Sequence, residues 1–293
     1  MVLLLMECAV LCSAFSGVIT SKHILVPSCI QCEALTQSYP VTLFNKLFSS
    51  VPKRAFAIQD VSLTFGDAKD GDNNFNLLVG RSASGKTTIL RILSGEEEPA
   101  SGNVLLNRSQ LFPSMKRSNG LPKPIMLDTK PDCYDDRFTV LERIKEAAGK
   151  HLSSAEIDSS KFIEGLAKEF ASTLNLSSEQ TNGYPSALSP SGQYVFGIAC
   201  ACMQSSCASI HSIGEDVVEV PCPILLLDEL LDSETSGVAS KVGEALHSLT
   251  KRGAIVLAAT HRPEYLKSSA DRVITLSGGK VLIDEKCITV YNN

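Results

Sequence analysis

The chain has 293 residues, 44% of them hydrophobic and 20% charged, with a formal net charge of −5. That length suits one large domain or a domain with a subdomain, and the balance is that of an ordinary soluble globular protein. The acidic excess argues against nucleic acid as a partner, and no charge-free apolar stretch reaches the 18 residues of a membrane-spanning helix.

Residues 1–54 differ from the rest. They carry only Glu7 and Glu33 as acids, against Lys22, Lys46, Lys53 and Arg54, and are rich in Ser and Thr. That composition is expected of a transit peptide or disordered leader, pointing to the chloroplast stroma. The apolar run Leu3 to Phe15 raises a secretory alternative, but no basic residue precedes it. Cys29-Ile-Gln-Cys32 is a single C-x-x-C without a second pair. Ten cysteines in a chain this long do not suggest a disulfide framework.

From residue 55 to 293 the pattern is that of a folded domain. Phe56 to Phe65 alternates as one or two strands, and Gly66 to Asn74 is a turn rich in Gly, Asp and Asn. Phe75-Asn-Leu-Leu-Val79 reads as a buried strand and Thr88-Ile-Leu-Arg-Ile-Leu93 as a helix. Between them lies Gly80-Arg81-Ser82-Ala83-Ser84-Gly85-Lys86-Thr87-Thr88, which fits G-x-x-x-x-G-K-[ST]. Strand, glycine-rich turn and helix present backbone donors and a helix N-terminus to a polyphosphate. In such a loop Lys86 reaches the β- and γ-phosphates, and the Thr87 hydroxyl ligates Mg²⁺.

Gly102 to Leu106 is a further strand, and Ser109 to Pro124 reads as loop, broken by three prolines. From about 140 to 200 the pattern turns helical, with Phe162, Ile163, Leu166, Phe170 and Leu174 on one face. Cys200, Cys202, Cys207 and His211 resemble a metal set, but side chains two apart on a helix diverge, so they read as small buried hydrophobes. Pro221 to Glu229 is a buried strand ending in Asp228 and Glu229. Ser240 to Leu249 is a helix, and Ala254 to His261 a second buried strand ending in histidine. Arg272 to Leu276, Gly278-Gly279 and Val281 to Ile283 form a closing hairpin. Strands alternating with helices, with polar residues gathered at strand ends, predict an α/β nucleotide-binding core with a helical insert. At those ends Asp228 is placed to hold Mg²⁺, Glu229 to orient or deprotonate a water, and His261 to meet a γ-phosphate.

The order and spacing of these pieces resemble the nucleotide-binding subunit of an ABC transporter, over roughly Phe56 to Lys286. The phosphate loop is similar to that family's first Walker motif and Ile224-Leu-Leu-Leu-Asp-Glu229 to the second, while His261 resembles the switch histidine. Within the family the chain looks most similar to the plant plastid, non-intrinsic (soluble, I-subfamily) members. The resemblance implies a P-loop NTPase core with an ABC-type helical subdomain and a small β subdomain. It implies ATP and Mg²⁺ as ligands, with Glu229 and His261 catalytic. It also implies a homo- or heterodimer with another ABC ATPase subunit, serving a separate transmembrane transporter subunit.

The chain departs from the family pattern in several places. Leu188-Ser189-Pro190-Ser191-Gly192 stands where the signature L-S-G-G-Q is expected, so Ser189, Ser191 and Gly192 are its candidate contacts to an ATP held by the opposite subunit. Pro190 removes an N–H but suits a helix's first turn. Asp128 falls near the family's Mg²⁺-binding glutamine, and Asp232 near the aspartate that crosses the dimer interface. Ser205 to Val220 is an acidic insertion. For the aromatic that stacks on adenine, Tyr39 and Phe65 are both candidates. Two functions stay open: an ATPase subunit that energises transport, or a non-catalytic ATP-binding regulatory or scaffold subunit.

Overall fold

The computed structural model describes residues 22–40, 54–66, 74–112, 122–133, 136–149, 159–208, 210–212 and 217–287. At its centre is a six-stranded sheet. In chain order its strands are β4 (Phe75–Val79), β7 (Ile125–Leu127), β10 (Ile224–Asp228), β11 (Ile255–Thr260), β12 (Arg272–Ser277) and β13 (Lys280–Lys286). Their spatial order is β13-β12-β4-β11-β10-β7, parallel except for β13, which returns antiparallel to β12 through Gly278 and Gly279 at φ 57° and 77°.

The apolar runs of β10 and β11 are continuous because both faces of the sheet are covered. Successive side chains point to opposite faces, so Leu225 and Leu227 join one core and Ile224 and Leu226 the other. The first core lies under the helices α2 (Val140–Glu146), α3 (Ser159–Thr173), α5 (Pro190–Cys207) and α6 (Ser236–Thr250). Phe162, Leu166 and Phe170 on α3 bury there as their spacing predicts. Leu174 is buried too, one residue past the helix end. Between α3 and α5 sits the short α4 (Ser178–Asn182). Each such buried side chain contributes about 1.5–3 kcal/mol relative to exposure.

The second core is covered by α1 (Lys86–Ser94) and by an antiparallel sheet. Its strands are β2 (Ile30–Pro40), β3 (Arg54–Phe65), β5 (Ser101–Leu106) and β6 (Ser109–Gln110), in the order β3-β2-β5-β6. A third, small sheet joins β1 (Lys22–Val26) to β9 (Val217–Pro221) and β8 (His211–Ser212), so the acidic insertion is partly a strand pair built onto the N-terminal segment.

The boundary expected at residue 54 is therefore corrected. β2 is an inner strand, paired with β3 on one side and β5 on the other, and it buries Ile30, Cys32 and Leu35. Its start is fixed to the β5–β6 turn by Cys29 N–H to Asn107 Oδ1 (2.7 Å) and Asn107 N–H to the Cys29 carbonyl (2.8 Å). Lys22 and Arg54, counted as leader residues on composition, belong to strands. The remainder of the expected leader, 1–21 and 41–53, lies outside the described residues. The C-x-x-C pair is likewise part of the fold, and burial pushes the Cys32 thiol up to about 12.

Candidate functional site

Parallel register decides which residues meet. Val79 stands opposite Thr260, and Ala259 opposite Asp228, so β4, β11 and β10 end side by side on one edge of the sheet. With adjacent strands about 4.8 Å apart, the residues just beyond those ends come within side-chain reach. They are the phosphate loop after β4, Glu229 after Asp228 at the end of β10, and His261 after β11.

The loop winds around Lys86. Its ammonium donates to the Gly80 carbonyl (2.9 Å) and the Arg81 carbonyl (3.4 Å), and lies 3.5 Å from His261 Nε2 and 3.9 Å from Glu229 Oε1. His261 Nε2 is 2.7 Å from Glu229 Oε1, and the Thr87 hydroxyl donates to Asp228 Oδ1 at 3.1 Å. Ser82 to Thr88 and Glu229 line an open cleft of about 140 Å³. The Gly80 and Arg81 carbonyls hold the Lys86 ammonium, and Thr88 lines the cleft from α1. Gly85 caps α1 at φ 106°, where a Cβ would lie 2.5 Å from the Ala57 carbonyl; glycine is required on both counts.

Burial holds the Lys86 ammonium below the usual lysine range, against the pull of Glu229, Asp228 and Asp232. Burial likewise pushes the Asp228 carboxyl up, opposed chiefly by the Thr87 hydroxyl. A desolvated cation turned onto its own loop's carbonyls, and the buried Ser84 hydroxyl with no hydrogen-bond partner, fit a site built for an anion. Thr87 and Asp228 together offer the hard oxygen donors Mg²⁺ takes.

Asp128 follows β7, whose Leu127 pairs with Leu227, so it shares the site's edge, yet it is exposed. Among the described residues, ligand atoms of Glu229, Asp232 and His261 converge within 4.8 Å of one another. Asp232 accepts His261 N–H at 2.7 Å and the Thr260 hydroxyl, so its carboxylate is engaged within its own chain. Sequence reasoning missed that role, because no local pattern links residues 28 apart.

Ser189 is the N-cap of α5 and accepts from Gly192 N–H at 3.2 Å, with Pro190 in the first turn and Ser191 Oγ 3.3 Å from Ser189 Oγ. The signature stretch thus sits at a helix N-terminus with Ser189 exposed. Behind it, Tyr194 donates to Glu234 at 2.7 Å and lies under the Lys130 ammonium, 5.4 Å from the ring centre.

Of the two aromatic candidates for adenine, Phe65 is excluded, being 1% exposed in the core. Tyr39 is 40% exposed, and β2 carries it to α1, where its hydroxyl meets Glu97 and Thr88. Of the α5 cysteines, Cys202 and Cys207 are buried and Cys200 is half-buried. Burial pushes Cys200 and Cys207 up to about 12 and Cys202 well above its usual range. No described helix is long and apolar enough to cross a membrane.

The geometry agrees with three comparisons. An ATP-binding protein for aliphatic sulfonates import from Mycobacterium sp. is 28% identical over 236 residues, covering 80% of this chain and 80% of its own length. An uncharacterized ABC transporter ATP-binding protein of Mycobacterium tuberculosis is 27% identical over 215 residues, covering 71% of this chain and 76% of its own length. A solved ATP-binding cassette, dimeric and bound to ADP and phosphate, superposes with a TM-score of 0.58 at 20% identity, covering 88% of this chain and 98% of its own, which establishes the fold. Residues 71–210 match the family model described as ABC transporter, and the fold around them is the α/β fold of a P-loop ATP-binding cassette.

Proposed function

We propose that the chain is an ATP-hydrolysing subunit that dimerises on ATP and energises a separate membrane transport partner. One observation carries the reading: Glu229 and His261 stand 2.7 Å apart within 4 Å of the Lys86 ammonium, beside the Thr87–Asp228 pair. A protein that only held ATP would have no need of a carboxylate and an imidazole converging there.

In this reading Lys86 and the loop bind the β- and γ-phosphates. Thr87 and Asp228 hold Mg²⁺, which supplies positive charge to the phosphate oxygens. Glu229 orients the attacking water and takes its proton as the water oxygen bonds to the γ-phosphorus and the bond to ADP breaks. His261 contacts the γ-phosphate and the water. Ser189, Ser191 and Gly192 are offered to the ATP of the opposite subunit, which is another ABC ATPase subunit or a second copy. Support for a partner comes from the relative that is an ATP-binding protein for aliphatic sulfonates import, and from the dimeric cassette.

The test is steady-state ATP hydrolysis by the chain and by Glu229→Gln. Turnover that the substitution lowers by roughly 10²-fold or more supports the proposal. Tight Mg-ATP binding without turnover, alone and beside other cassette subunits, would instead support the regulatory reading. That reading is favoured by one observation, the Asp232 carboxylate engaged within its own chain. The plastid address and the likeness to plastid members belong to this proposal too, supported by the acid-poor, hydroxyl-bearing residues 1–21. A fluorescent fusion of the full chain should accumulate in the chloroplast stroma; secretory or cytosolic fluorescence would reject that part.

A further inference from the structure

Tyr39, next to the last residue of β2, is 40% exposed, with its hydroxyl 2.6 Å from Glu97 Oε1. The same carboxylate oxygen accepts the Gln37 side-chain amide. Gln37 is 8% exposed and clamps the segment after α1 onto β2, donating to the Glu98 carbonyl (3.3 Å) and accepting Ala100 N–H (3.0 Å). From the other side, Glu96 and Glu97 N–H both bond the Arg91 carbonyl, at 3.0 and 3.1 Å, fixing the segment to the end of α1. Glu97 is thus held by a strand and a helix at once, and the ring it holds is the one beside Thr88, where the phosphate loop runs into α1.

We propose that Glu97, backed by Gln37, is the positioning residue of a nucleobase platform formed by the Tyr39 ring. The inference rests on the reading of this cleft as an ATP site and deepens it. A tyrosine at a strand's end has two side-chain torsions, and an exposed ring that swings must lose that freedom when a base lands on it. A charge-assisted hydrogen bond from its hydroxyl to a fixed carboxylate removes the freedom beforehand. The residue stays 40% exposed, and stacking on its ring asks only for a π-face of the ligand. Phosphates are bound elsewhere, by Lys86, Thr87 and the loop. Glu97 therefore acts on the base half of the nucleotide's affinity and leaves the phosphate half alone.

The experiment is calorimetric titration of the full chain with Mg-ATP and, separately, with Mg-tripolyphosphate. Glu97→Ala and Tyr39→Ala should each weaken ATP on the order of 10-fold while tripolyphosphate stays within about 2-fold. Glu97→Gln, which keeps an acceptor for the hydroxyl, should recover most of the loss. Tyr39→Phe loses only the hydroxyl, and should weaken ATP a few-fold with tripolyphosphate unchanged; it serves if an alanine variant fails to fold. Equal weakening of both ligands, or no change in either, overturns the proposal. A wild-type chain that binds neither ligand removes the ATP reading and this inference together. A wild-type chain that binds ATP, with Glu97→Ala and Tyr39→Phe indifferent, removes this inference alone.

Discussion

Ala83 sits in the phosphate loop at φ 60°, a left-handed conformation that costs a non-glycine residue about 1–2 kcal/mol. Ala83→Gly relieves that strain but adds roughly 0.4–1 kcal/mol of unfolded-chain entropy. The net expectation is a modest gain, seen as a melting midpoint about 1–3 °C higher; a lower midpoint would reject the strain. Glu229 shares the left-handed region at φ 56°, held by its N–H to the Ala259 carbonyl at 2.9 Å, so the turn that aims it is stored in the backbone. Asp228 is strained electrostatically instead. Its folded pKa lies above the unfolded value, so its contribution to stability is present at acid pH and lost as pH rises through the folded pKa. Asp228→Asn should therefore make the nucleotide-free chain more stable at neutral pH and flatten its acid-side stability profile, while Mg²⁺-dependent ATP binding falls. Melts across pH with and without Mg-ATP check both halves; a less stable nucleotide-free Asn variant would show that the carboxylate is well accommodated.

At the scale of elements, α5 carries two duties at one residue. Ser189 caps the helix, and in the proposed function it also meets a phosphate on the opposite subunit. Ser189→Ala removes both and should cost about 1 kcal/mol of stability through the cap alone. Ser189→Asn keeps a good cap, so turnover lost with the melting midpoint retained would isolate the phosphate contact. Turnover retained in the Asn variant would leave Ser189 as a cap only. Further along α5, a Cβ at Gly197 would lie 2.7 Å from Pro131 Cγ, so the helix presses closely on the segment that follows β7. That segment also carries Lys130, over the Tyr194 ring, and Tyr194 in turn bonds Glu234. The helix behind the signature stretch is thus in contact with the chain after β7 and the chain after Glu229.

At the scale of the molecule, the place of β2 sets where the protein can be cut. A chain of residues 22–293 keeps all three sheets and should melt cooperatively. A chain of residues 55–293 loses the inner strand of the sheet that covers α1, exposing the core around Ile58, Ile89 and Leu93. It should show no cooperative transition by circular dichroism and should bind Mg-ATP weakly. A stable, ATP-competent 55–293 chain would return β2 to the status of a leader.

What the sequence determined by itself is local or self-announcing. The phosphate loop is nine contiguous residues between a strand and a helix that the apolar pattern marks on its own, and the motif dictates which of them face a phosphate. The buried runs ending at Asp228 and His261 are legible for the same reason, since a strand covered on both faces needs apolar residues throughout. β2 was not legible. Its alternation is broken by register shifts around Ala34, which sits at φ 50°, and its partners lie dozens of residues away. Only the tertiary structure decided that Tyr39 stands at α1 with Glu97 and that Asp232 holds the His261 backbone. Each of those outcomes depends on register and packing between distant segments, and a linear pattern carries no term for either.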